Sequence, residues 1–335
     1  MINDVIMGLE RLPDSERQNL MDIFSGKKLP PLYSDVIAKN ILNADVHPER
    51  LNFLMRGISK DMTIDVASSA GNENFKRSVH AKGMVTDIPS WLNDSRLSDL
   101  EIQKIKQDFI FTRIELYASD MLLLQYSVSE GQAKGALSYT NVNEAIIIVL
   151  MIESPKAFRE YDKVCDKYIH RFTRMTADTG LSYPVKAKMM YVQLDKCLKQ
   201  FKDGLNAEAD DNRPDDLQLW LSTIADVNDE DIKEAGLHDT ELTYMREEVL
   251  NMIQNKEVQN MLIQERYDRM DILTYGNEQR KEGEVQGEIK GRTEGESLLA
   301  KLMSILFKEG LMAEAKKAAE DETVRQELYK RYNLI

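Results

Sequence analysis

Cysteine is nearly absent. The chain has two, Cys165 and Cys197, in 335 residues. So few thiols exclude a disulfide scaffold, and their separation excludes a metal knuckle or a redox pair, which makes a reducing cytoplasm the expected home. Histidine is too sparse for an imidazole metal centre: His47, His80, His170 and His238 are scattered along the sequence. Each is expected on a surface or at a helix end. Long apolar runs are missing as well. The longest, Ala145–Ile152, has eight residues, against about 20 for a spanning helix, so no membrane partner is expected. The segment MINDVIMGLERL carries acids where a signal peptide would carry bases. The sequence holds no GxxxxGK[ST] phosphate loop, no GxGxxG, no HExxH and no GxSxG. Carboxylates are left as the plausible catalytic groups.

What is present is enough apolar residue for a sizeable core, 42% of the chain. The net charge of −13 looks hostile to nucleic acid, yet its distribution matters more than its sum. Fourteen acids against three bases fall between Ala207 and Glu248, and eleven bases against five acids between Lys156 and Lys202. Excess acid confined to one stretch leaves DNA binding open while arguing against tight, indiscriminate attraction of phosphate.

The period of the apolar residues predicts the elements. Residues 4–24 read as amphipathic helix interrupted at Pro13, and Ser34 or Asp35 caps a helix over DVIAKNIL. Pro48 suits a first helical turn, with Leu51, Leu54, Met55 and Ile58 as the apolar stripe. MTIDVAS (62–68), GMVTDI (83–88) and SDLEIQ (98–103) then read as consecutive strands. Lys104 to Val128 returns to a helical period. NEAIIIVLMI (143–152) has the β-branched composition of a strand buried on both faces, and Met189–Leu194 reads as one more. Everything after about Pro214 reads as helix. The expected fold class is a mixed α/β domain followed by a helical C-terminal region.

Period two places Glu101 and Gln103 on one face of their strand and Leu100 and Ile102 on the other. If GMVTDI and SDLEIQ pair as a hairpin, Asp87 lies beside Glu101. Side-by-side carboxylates repel unless a divalent cation sits between them, and hard oxygen ligands suit Mg²⁺. The bland alternative is a pair of solvated strand-edge carboxylates with Gln103 on the surface.

An ordered set of motifs resembles the PD-(D/E)XK nuclease superfamily, and more closely its Rpn-like recombination-promoting nucleases, also called PD-(D/E)XK family transposases. Asp35-Val-Ile-Ala-Lys39 resembles the family's D-x-x-F-K start, with Ala38 in place of the aromatic, and Leu51–Leu54 its L-x-F-L helix. GMVTDI resembles G-V-x-L-D-V, LEIQ resembles I-E-M-Q, and Arg113 with Tyr117 resembles the R-x-x-x-Y helix. YVQLDK (191–196) stands where V-E-L-x-K is usual. Glycines at 283, 287, 291 and 295 resemble the E-G-x-x repeats of these proteins.

The resemblance implies a restriction-endonuclease-like core with a mixed sheet flanked by helices. It implies a Mg²⁺-dependent DNA endonuclease associated with recombination or mobile elements. Asp87 and Glu101 would be metal ligands, with the Ile102 carbonyl completing the set. Gln103 stands where the superfamily usually carries Lys, so either Lys104 or Lys106 supplies that charge or the site is slow or inactive. A nuclease-like regulator acting through its helical tail is therefore the second reading. Arg113 would contact a phosphate with Tyr117 beneath it, or would form an ordinary helix-surface pair with Glu115 or Asp120. The expected organisation is a helical segment over 1–30, the nuclease-like domain over 31–205 and a helical region over 206–335. The glycine-periodic segment 283–295 reads either as a frayed linker or as a close helix contact, followed by the stripe Leu298, Leu302, Ile305 and Leu306. That stripe is expected to pack on the nuclease-like domain, on the helices over 311–332 or on another subunit, and the glycines favour the last, so a homo-oligomer is an expected partner beside DNA.

Overall fold

The computed structural model describes residues 8–71, 86–106, 109–132, 142–205 and 213–335. In chain order these form α1 (Asp14–Phe24), α2 (Asp35–Ile41), α3 (Pro48–Ser59), β1 (Val66–Ser69), β2 (Ile88–Leu92) and β3 (Leu97–Gln103). Next come α4 (Ile110–Gln132), β4 (Ala145–Met151), α5 (Lys156–Tyr161), β5 (Ile169–Thr176), β6 (Ser182–Gln193) and α6 (Leu194–Leu205). The remainder is α7 (Asp216–Ala225), α8 (Glu230–Ala235), a short 3₁₀ turn, α9 (Thr240–Met252), α10 (Lys256–Lys308), α11 (Met312–Glu320) and α12 (Glu322–Arg331). Among the described residues no helix is long and apolar enough to cross a membrane.

The strands form one sheet in the order β1-β2-β3-β4-β6-β5. β4 pairs in parallel with both β3 and β6, while the β1–β2, β2–β3 and β5–β6 pairs are antiparallel. This mixed sheet, flanked by helices, is the restriction-endonuclease-like core the motifs implied. β4 lies at its centre, and all seven of its residues are buried, as its unbroken apolar run requires. One face carries Ala145, Ile147, Val149 and Met151, covered by Ile110, Ile114, Ala118 and Met121 of α4. Ile146, Ile148 and Leu150 are buried on the opposite face, and α6 packs on β4 and β6.

The chain divides into two compact units, Met1–Glu265 and Arg266–Ile335. The second unit closes a core of its own. Leu302 and Leu306 are fully buried against Ala315, Ala318, Leu328 and Tyr329, with Leu298 packed alongside. The apolar stripe therefore finds its cover on α11 and α12 of the same chain. The glycine-periodic segment is part of α10, and a Cβ added at Gly287 or Gly295 would meet nothing within 4 Å.

Several sequence expectations shift at their edges, and one strand, β5, was not expected at all: β1 covers Val66–Ser69 and not 62–68, and α4 begins at Ile110 and not at Lys104. Asp87 precedes strand β2, which begins at Ile88; residues 83–85 of the GMVTDI stretch lie outside the described residues. β6 runs seven residues further back than Met189. β5 carries no clean alternation because it is an edge strand whose side chains are largely exposed, and so left no period to read.

Candidate active site

The site is built on β3. Its seven residues are all buried, although Asp99, Glu101 and Gln103 all stand on the face that α4 covers. The β2–β3 register pairs Ile88 with Leu100 and Pro89 with Asp99, which sets Asp87 opposite Glu101. The Asp87 carboxylate accepts a hydrogen bond from the Ile102 backbone N–H at 2.7 Å. This fixes Asp87 against the strand that carries Glu101.

Asp99 and Glu101 are both 0% exposed. No hydrogen bond of good geometry reaches either Asp99 oxygen or Glu101 Oε2, although the nearby Ile88 N–H acts on Asp99 and the Asp87 N–H on Glu101, each favouring the ionised form. Burial pushes all three acids up from the ordinary carboxylate range. For Asp87 the Asp35 carboxylate adds to burial, while the Ile102 N–H opposes it. Asp99 is raised well above its usual value, first by burial and then by the charges of Glu101 and Asp87. Glu101 is pushed up to about 7, by burial and then by Asp87, with Arg113 opposing. These mutual effects place the three carboxylates in one electrostatic neighbourhood.

Arg113 enters it from the first turns of α4. Its Nη2 donates to Glu101 Oε1, its Nη1 to Gln103 Oε1 at 2.8 Å, and its Nε to the Tyr117 hydroxyl at 3.0 Å. The guanidinium also lies 5.2 Å from the Tyr117 ring centroid, a cation–π distance. Arg113 thus pairs inward with Glu101, not with Glu115 or Asp120. Gln103 is spanned between Arg113 and the Ile105 carbonyl, to which its amide N–H donates.

Lys104 salt-bridges Asp35 at 2.7 Å and also Glu265. Burial alone would lower its pKa, but these two acids hold it above the usual lysine value. Its charge still favours the ionised form of Asp87. Lys106 is exposed. Glu265 also accepts from Ser34 Oγ at 2.5 Å and from the Asp35 N–H at 3.1 Å, which ties the start of α2 to Lys104. In the variant YVQLDK stretch, Gln193 donates to Ser154 at 3.1 Å and Lys196 pairs with Asp162 at 2.7 Å, a self-satisfied polar network.

A family model for PD-(D/E)XK nuclease family transposases matches residues 37–276. The chain belongs to this family. No curated protein and no solved structure matches it. Membership gives a nuclease-like function to a chain whose sheet already gathers Asp87, Glu101, Gln103 and Arg113. Asp99 had no role in the sequence reading. The signal was available, because period two puts it on the face of Glu101, but a third acid there has no place in a D…ExQ motif.

A different group, His47, Glu49 and Glu241, also brings ligand-type atoms within 4.8 Å of one another. Those atoms are already engaged: Glu241 accepts from Arg50 Nε at 2.7 Å, and the two His47 nitrogens face Glu49 at 3.3 Å and Glu248 at 3.1 Å. It is an ion-pair network.

Proposed function

We propose that the chain is a divalent-metal-dependent DNA endonuclease, with Asp87, Glu101 and the Ile102 carbonyl holding Mg²⁺. The observation that carries the reading is the buried acid cluster. Three carboxylates share one end of a sheet with one guanidinium among them, and three of their oxygens receive no hydrogen bond of good geometry. Such a set is costly to ionise unless a cation joins it, and an all-oxygen donor set suits a hard ion. Asp99, fully buried beside them, is the further acid able to take part once a cation favours its ionised form. Mg²⁺ held there would polarise a phosphoryl oxygen and make water a better nucleophile at neutral pH.

The chain's own residues do the rest. Gln103 and Tyr117 grip the Arg113 guanidinium from two sides, so that a donor fork faces the carboxylates. A fork of that kind binds phosphate oxygens bidentately, and Arg113 would exchange Glu101 for the substrate's phosphate. Gln103 brings no charge; the lysines that act electrostatically on Asp87 are Lys39 and then Lys104, and one of them stands in for the superfamily's lysine.

The Arg113–Glu101 ion pair also favours a second reading. It neutralises the acid a metal needs, as a resting or non-catalytic nuclease fold would. A plasmid-nicking assay with Mg²⁺, Mn²⁺ and Ca²⁺ separates the two. Nicking by the wild type that disappears in Asp87→Ala supports the enzyme, and no nicking with any cation supports the regulator.

A further inference from the structure

The sheet carries a second feature on the same face as the acids. A cavity of about 550 Å³ opens between α5, the start of α4 and edge strand β5, lined in part by Phe111, Phe158, Tyr161, His170 and Phe172. Its rings form one cluster. Phe111 stacks on Phe158 with centroids 5.3 Å apart, Phe158 lies 5.3 Å from His170, and Phe172 meets Tyr191 edge-on at 5.6 Å. A wholly structural cluster would bury its rings, yet Tyr161 is 53% and Phe172 45% exposed. The exposed Lys167 also lines the cavity and gives it a cation for an anionic ligand, whereas the Arg171 guanidinium turns to the other face of the sheet and donates to the Ile58 carbonyl.

His170 is anchored through Nε2. The Gln193 amide nitrogen donates to Ser154 Oγ at 3.1 Å and to the Asp162 carboxylate, so its oxygen accepts from His170 Nε2 at 2.9 Å and the Nδ1 edge is left for a ligand.

The strand register joins this cavity to the acids. Glu101 pairs with Val149, Val149 with Tyr191, and Tyr191 with His170. In the next row, Asp99 pairs with Ile147, Ile147 with Met189, and Met189 with Phe172. Three strand spacings of about 4.8 Å separate Glu101 from His170, or about 14 Å. About four nucleotides cover that gap at the rise of B-DNA, and fewer do in an extended strand. Phe111, two residues before Arg113, reaches the cavity from the helix that also serves the acids.

We infer that this cavity binds an unpaired base of the DNA strand whose backbone is cut at the acid cluster. The rings offer stacking surface, His170 and Tyr161 offer polar edges, and Lys167 attracts a flanking phosphate. Exposed aromatics beside a cation are what a single-strand platform needs, whereas intact duplex keeps its bases stacked and out of reach. The inference rests on the nuclease reading for the position of the cut and stands by itself for the binding of the base.

The test uses the full-length chain carrying Asp87→Ala, in EDTA, with oligonucleotides containing 2-aminopurine. Single-stranded DNA should bind more tightly than blunt duplex of the same sequence and quench the probe by stacking. Phe172→Ala should weaken single-strand binding by about 5- to 150-fold and abolish the quench, with duplex affinity unchanged. Tyr161→Ala, whose ring is half-exposed, carries the test should Phe172→Ala lower the melting temperature. Equal affinity for both DNA forms, with neither variant altering it, would overturn the inference even if the intact enzyme nicks plasmid. Base binding by a chain that nicks with no cation would uphold it and defeat the nuclease reading instead.

Discussion

Two acid-rich clusters in residues 1–265 differ in how their charge is met. At the junction of α3 with α9, Arg50 is fully buried and pairs with Glu241 at 2.7 Å and Glu248 at 2.8 Å, while His47 faces Glu49 and Glu248. Each carboxylate there has a partner. On β3, three carboxylates share one guanidinium, and all three are pushed above their ordinary range. The first arrangement holds two elements together. The second keeps acids in a buried place that raises their pKa values, which stability alone does not favour and the proposed cation site would explain. Burial, acidity and proximity are common to both, so the degree of compensation is what separates a structural cluster from a candidate site.

The largest effect should come from the compensated cluster. Arg50→Ala leaves Glu241 and Glu248 facing each other without their cation and should lower unfolding free energy by about 3–5 kcal/mol, measured by urea denaturation. A loss below about 1 kcal/mol would put the two clusters on the same footing and break the contrast.

Next is Asp87→Ala, for which the contrast predicts the reverse. Removing one of three mutually repelling acids should leave the melting temperature unchanged or higher, while plasmid nicking falls by about 100-fold or more. An early-melting variant would show Asp87 to be structural, with its hydrogen bond to Ile102 mattering more than its charge.

A third effect concerns pH in the metal-free protein. Glu101 has a folded pKa of about 7 against an ordinary 4.5, so between those values the folded chain holds its proton more tightly than the unfolded chain. Its contribution is fully present below pH 4.5 and is lost as pH rises through 7. Relative to Glu101→Gln, the wild type should therefore lose about 1–3 kcal/mol between pH 4 and pH 8 in the presence of EDTA. A difference that does not vary with pH would mean that Arg113 compensates Glu101 as fully as Arg50 compensates its acids.

The smallest effect should be Tyr117→Phe. It removes the acceptor of the Arg113 Nε–H and should cost about 1 kcal/mol in thermal or urea unfolding. It should reduce nicking less than Arg113→Ala does.

Much of this was legible in the sequence where a period is clean. β4 declared itself by an unbroken apolar run, α3 by Pro48 and its stripe, and the face shared by Glu101 and Gln103 by alternation. The position of Asp87 opposite Glu101 followed once the hairpin was assumed. What escaped depends on contacts between distant residues. That Arg113 turns inward to Glu101 and that Lys104 is met by Glu265 leave no trace in local pattern, and local pattern alone did not choose α11 and α12 over a second subunit as the cover of Leu302 and Leu306. β5 escaped because an exposed edge strand imposes no alternation, and Asp99 because its neighbours in the motif drew the eye to Glu101.

The central claim is that the uncompensated cluster, not the compensated one, is the cation site. Isothermal titration of Mn²⁺ into the wild type, Glu101→Gln and Glu49→Gln at pH 7.5 tests it directly. The account predicts saturable binding in the wild type, its loss in Glu101→Gln and its retention in Glu49→Gln. Binding kept by Glu101→Gln and lost in Glu49→Gln would move the metal to His47, Glu49 and Glu241 and contradict the account.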